Sequence, residues 1–204
     1  TRSFSELSGS RSLRLAALKL RTEVASKGIC YVTRMERVEI AALMNHYFAT
    51  VARSLESIAA QEIERLGASQ VRPDFAGVHF VGDKATLYRV NLWARTIFRV
   101  LVPIREFYCP NAGILYREVQ KISWDKYLQS HNTLAVSCTG GNQKLNHTHF
   151  TALQVKNAIV DQQRRKFGQR STIAPQNPDL LVNVHIQQQR CILSLDSSGT
   201  SLHR

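Results

Sequence analysis

The chain has 204 residues, a 44% apolar fraction and a net charge of +12. That length holds one medium domain or two small ones. No run of about 18 apolar residues occurs, which excludes a membrane-spanning helix, and the charge favours a polyanionic partner, nucleic acid first and an anionic membrane surface second.

Residues 1–43 are rich in Ser, Arg and Leu, as in RSLRLAALKLRTEVASKG. The stretch reads as a poorly packed or artefactual extension upstream of a natural start at Met44; a transit peptide is the rival reading. From Met44 the elements are well punctuated. HYFATVA (46–52) alternates like a half-buried strand. Ser54 is expected to cap a helix that buries Leu55, Ile58, Ala59, Ile63 and Leu66 and stops at Gly67. ASQVRPDF and GVHFVG form a hairpin-like pair. Asp83 opens a second helix, KATLYRVNLWA, and TIFRVLVPIREF (96–107) reads as a strand. The order β-α-β-β-α-β is the split ferredoxin-like arrangement.

A second unit begins after Pro110. GILYREVQKISWDKYLQS suggests two short helices, TLAVSCTG (133–140) a strand, and Gly140-Gly141-Asn142 a turn. FTALQVKNAIVDQQRRKF (150–167) reads as an amphipathic helix with Leu153, Val160 and Phe167 on one line, Ala152 and Ile159 beside it, and Lys156 in the apolar arc. STIAPQNPD is a loop, LLVNVHIQ and RCILSLDS a hairpin around Gln188-Gln189, and a further strand is expected to begin within SSGTSLHR. The fold class is therefore α+β, with the second unit carrying net +6 of the charge.

The cysteines, Cys30, Cys109, Cys138 and Cys191, have no CxxC or zinc-finger spacing. Cys138 and Cys191 read as small buried hydrophobes, fitting a reducing, cytoplasmic compartment. Catalytic apparatus is sparse: there is no GxGxxG, GxxxxGK[ST] or HExxH, and Gly140-Gly141 alone makes no nucleotide loop. His147 and His149 lack a third ligand and read as a polar helix N-terminus, so no metal is expected.

The nucleic-acid signal is stronger. Lys144, Asn146 and His147 cluster before the long helix, whose free N–H groups suit phosphate. Arg164, Arg165, Lys166 and Arg170 cluster at its far end, where part of the charge complements the helix dipole. Lys156 either points an ammonium at phosphate or pairs with Asp179 or Asp196. No aromatic signature for base stacking on a sheet is present, so contact is expected through backbone and shape.

MNHYFATVARSLESIAAQEIERLGA, GVHFVGD and NLWARTIFRVLVPI resemble the N-terminal region of bacterial large-subunit rRNA guanine-N2 methyltransferases. TALQVKNAIVD, NPDLLVNVHI and LSLDSSGTSLHR resemble the THUMP domain that follows in those proteins. Several blocks match in order and spacing over 44–204. The resemblance implies a ferredoxin-like subdomain (44–110) and a THUMP domain (111–204, its last strand cut short) that present large-subunit rRNA to a methyltransferase domain beyond Arg204. That domain would bind S-adenosylmethionine, and no cofactor is expected on residues 1–204. Asn177-Pro178-Asp179 lies inside the THUMP-like part and is not the family's catalytic Asn-Pro-Pro-Tyr-like motif. A protein-interaction module and a small enzyme with an unfamiliar site are the rival readings.

Overall fold

A computed structural model describes residues 45–199 and 201–202. The readings of residues 1–43 lie outside the described residues. Eight strands form one sheet in the order β2-β3-β1-β4-β8-β7-β5-β6.

The ferredoxin-like unit comprises β1 (Asn45–Val51), α1 (Glu56–Arg65), β2 (Ser69–Asp74), β3 (Gly77–Gly82), α2 (Lys84–Trp93) and β4 (Ile97–Tyr108). β1 lies between β3 and β4, antiparallel to both. Its alternation turns Tyr47, Ala49 and Val51 to the helices, where they meet Ala59, Ile63, Val78, Phe80, Val90 and Ile97 in one core. The start of α1 differs from expectation. Ser54 adopts a left-handed backbone (φ +73), Leu55 is the boundary residue, and no side chain caps the helix. The buried face is Ala59, Ala60 and Ile63, with Leu55 and Ile58 exposed. Small alanines let the helix sit close to the sheet, and that rotates the face away from the one hydropathy alone selects.

Asp83 does cap α2: its Oδ1 accepts the Thr86 N–H at 2.7 Å and the Thr86 hydroxyl at 2.8 Å. The Thr86 N–H, then its hydroxyl, hold the Asp83 carboxyl below the usual carboxylate range. Asp83→Ala should cost about 1 kcal/mol in urea unfolding at neutral pH. The folded pKa is the lower one, so the cap's stabilisation is present above the unfolded value near 4 and is lost as pH falls through the folded one. The variant and parent should therefore converge in acid.

The second unit comprises α3 (Ala112–Gln120), a single 3₁₀ turn (Trp124–Lys126), β5 (Thr133–Gly141), α4 (Thr148–Phe167), β6 (Thr172–Ile173), β7 (Leu180–Gln187) and β8 (Arg190–Asp196). Two short helices were expected over 113–130; the second is only this turn, and the expected loop contains the two-residue β6. β5 is parallel to β7 and β6, and β8 is antiparallel to β7. α3 and α4 cover a core of Leu115, Val119, Trp124, Leu134, Leu145, Val155, Ile159, Val184 and Leu193. Cys109 and Cys191 are buried there too, while Cys138 is half-buried.

The two units share the sheet. β4 pairs with β8 from Leu101↔Asp196 to Tyr108↔Arg190. The register shifts between Pro103 and Arg105, which is how a proline is tolerated inside an interior strand. Beyond β8 no new strand begins among the described residues; the chain bends and runs back along β4. Ser197 N–H donates to Val100 O at 3.0 Å and Leu202 N–H to Phe98 O at 2.8 Å. The Asp196 carboxylate, almost fully buried, pairs with Arg99 and accepts the Ser198 N–H at 2.8 Å.

Candidate nucleic-acid interface

The loop from β5 to α4 is organised by Asn142. Its Oδ1 accepts the N–H groups of Lys144 (3.0 Å) and Leu145 (2.8 Å), and its Nδ2 donates to Cys109 O (2.9 Å). Leu145 plugs into the core, leaving Lys144, Asn146 and His147 exposed on either side of it. His147 is the boundary residue of α4, and its carbonyl accepts the Thr151 N–H and hydroxyl at 3.0 and 3.1 Å.

Gly140 and Gly141 lie where a strand meets a helix, the position of many nucleotide loops, but their backbone serves packing. A Cβ on Gly140 (φ +73) would stand 2.0 Å from Ile186 O, and one on Gly141 2.7 Å from Leu145 O. Neighbouring backbone fills the space a side chain at either position would need.

α4 presents a different face from the expected one. The buried residues are Thr151, Val155, Ala158, Ile159, Val160 and Gln163, whereas Leu153 and Phe167 are exposed. The two polar members are satisfied. Thr151 bonds back to His147 O, and Gln163 exchanges two bonds with Ser171, each 2.9 Å. Lys156 is half-buried on the shoulder of this face and forms no ion pair with a described residue. The acids offered as its partners are engaged elsewhere: Asp179 accepts from Thr133 N–H and hydroxyl at 2.7 and 2.8 Å, and Asp196 pairs with Arg99.

At the far end Gly168 (φ +67) terminates the helix and donates to Arg164 O at 2.9 Å. The Gln163–Ser171 pair, with Ser171 Oγ donating to Gln129 O at 3.0 Å, ties down the following loop and sets the place of Arg170. Arg164, Arg165 and Arg170 are exposed and make no ion pair with described residues. Arg165 Nε donates to Asp161 O at 3.3 Å. Lys166 is held by Asp125 at 2.9 Å, and that ammonium lowers the Asp125 pKa. Exposed Lys126 adds charge beside the same carboxylate. Sequence reading passed over it, since only the 3₁₀ turn places it near α4.

The eight expected contacts therefore fall into two groups. Lys144, Asn146 and His147 lie at one end of α4 and Arg164, Arg165, Lys166 and Arg170 at the other, with Lys156 between. Twenty residues of helix separate the ends by about 30 Å.

The sheet's outward-alternating residues include Phe48 and His79, whose ring centroids are 4.7 Å apart, in a groove with Leu101, Pro103, His185 and Ile192. Rings do stand on a sheet face, although the chain has no recognisable motif for them.

Comparison with known proteins assigns both units. Residues 46–101 match the RlmL ferredoxin-like domain, and residues 111–196 match the THUMP domain. The chain thus carries an RlmL-type ferredoxin-like domain followed by a THUMP domain. It is homologous to the N-terminal regions of ribosomal RNA large subunit methyltransferase K/L proteins. One such protein, from Syntrophotalea carbinolica, is 42% identical over 158 residues, covering 78% of this chain and 22% of that protein. A Synechocystis protein described as a candidate RNA methyltransferase is 60% identical over 158 residues, covering 78% of this chain and 41% of that one. The chain thus spans less than half the length of either relative. Among solved structures, SMU.472, described as a methyltransferase and complexed with SAH, shares the fold with a TM-score of 0.63. Its identity is 21%, over 78% of this chain and 42% of that one. No described helix is long and apolar enough to cross a membrane.

Proposed function

We propose that the THUMP domain binds structured RNA and positions large-subunit rRNA for guanine-N2 methylation by an S-adenosylmethionine-dependent methyltransferase portion of the kind its relatives are named for. The observation that carries this is the group at the end of α4: Arg164, Arg165 and Arg170 project from a pinned helix end without carboxylate partners among the described residues. Guanidinium groups suit phosphate oxygens, and each one engaged releases counterions. Lys126 and Lys166 enlarge this contact, and Lys156 supports it from the helix shoulder. Lys144, Asn146 and His147, about 30 Å away, offer a second contact beside free helix N–H groups. A single rigid helix bearing both favours an RNA with defined tertiary shape over a short single strand.

The test is fluorescence anisotropy of the whole chain with a structured rRNA fragment across a salt series. The expected log–log slope is about −3 or steeper. A folded sample that shows no binding at low salt overturns the reading.

A further inference from the structure

Two neighbouring glutamines on α4, Gln162 and Gln163, take hold of different segments of the chain. Gln162 Nε2 donates to Gln120 O and to Ile122 O, each at 2.7 Å, and Gln162 Oε1 accepts the Trp124 N–H at 3.4 Å. Both amide hydrogens and one lone pair are thus used on residues 120–124. Gln163 instead bonds Ser171, whose hydroxyl donates to Gln129 O at 3.0 Å. The stretch 120–129 is therefore held at both ends from α4, at one end directly and at the other through Ser171.

The 3₁₀ turn lies between these two holds. A single 3₁₀ turn has little stability of its own, and no side chain caps this one. Trp124 anchors it in the core, while Asp125 meets the Lys166 ammonium at 2.9 Å. Gln162 and Lys166 are one helical turn apart, so one row of α4 grips the turn at two points. Asp125 offsets the charge of Lys166. Lys126, the next residue, is exposed and makes no ion pair with a described residue. The turn therefore returns a cation to the helix end that its own carboxylate partly neutralises.

We infer that Gln162 is a positioning residue of the RNA contact: it holds the 3₁₀ turn against α4 so that Lys126 stands with Arg164, Arg165 and Lys166 as one cationic face. This rests on the RNA-binding reading above. A lysine whose backbone is already placed loses less freedom when it engages phosphate than one on a loose loop.

The test is a double-mutant cycle, read by anisotropy of the whole chain with the structured rRNA fragment across a salt series. Gln162→Met keeps the side chain's length and removes its three hydrogen bonds. It should weaken binding about five- to tenfold near 0.1 M salt, approaching the loss of one phosphate contact. In a Lys126→Ala background the same change should weaken binding by less than about twofold, while it lowers Tm equally in both backgrounds. A glutamine with a structural role alone would weaken binding equally in both, and that result overturns the inference. Parental affinity in Gln162→Met, or in Lys126→Ala, also overturns it. If Gln162→Met does not fold, Gln162→Asn, which keeps the amide one methylene short, takes its place under the same criteria. A folded parent that binds no RNA at low salt overturns the RNA reading and this inference with it. Salt-dependent parental binding with equal losses in the two backgrounds overturns this inference alone.

Discussion

Trp124→Ala should destabilise the chain by about 3–5 kcal/mol in urea, the range for deleting a large buried aromatic. Trp124 is fully buried and is the largest such side chain in the structure. Its indole N–H donates to Val119 O at 2.9 Å, closing the end of α3, and its backbone N–H reaches Gln162 Oε1 at 3.4 Å. Truncation removes the packing and the indole hydrogen bond, while the Val119 carbonyl keeps the Ile122 N–H at 3.2 Å, so the packing loss dominates. Trp124→Phe keeps most of the volume and loses the hydrogen bond, so a smaller loss of about 1–3 kcal/mol is expected. An unchanged midpoint for Trp124→Ala would mean that the 3₁₀ turn contributes nothing to the core. Because that turn also carries Lys126, which belongs to the proposed RNA contact, RNA affinity should fall with it.

Replacing Arg164, Arg165 and Arg170 together by alanine should weaken binding to structured rRNA roughly 10²–10³-fold near 0.1 M salt, and flatten the salt slope by about 2 to 3. Each engaged phosphate contributes a slope of about −0.9, close to tenfold in affinity at that salt. The side chains are exposed, so the urea midpoint should barely move. The paired substitution Lys144→Ala with His147→Ala should have a smaller effect, because it touches only the second contact. A triple variant that binds with parental affinity and slope would dismiss the helix end as the RNA site. The charge would then serve the α4 dipole alone.

The order β-α-β-β-α-β was legible because its strands alternate and Asp83 is a strong cap, and the β7–β8 hairpin because polar Gln188-Gln189 splits two apolar runs. The face of α4 was not. A hydropathy wheel counts Leu153 and Phe167 as core and Thr151 and Gln163 as surface, whereas the fold satisfies the latter pair by hydrogen bonds and leaves the former exposed. The basic residues themselves were visible; their separation into two groups was not, since it follows from the length of the helix and the pinning of Ser171. The place of Asp196 was likewise hidden. It looked available to Lys156, but its partner, Arg99, lies 97 positions away, across a strand pairing that local patterns do not encode.

The β4–β8 pairing also bears on inheritance and engineering. Read linearly, Pro110 is the natural place to cut and recombine two modules. In space, a cut there severs the covalent path between strands that remain hydrogen-bonded from Leu101 to Tyr108, and each half would carry a raw sheet edge. The two units should therefore shuffle between proteins as one cassette, with crossover points tolerated before β1 or after the Asp196–Ser198 bend and selected against between them.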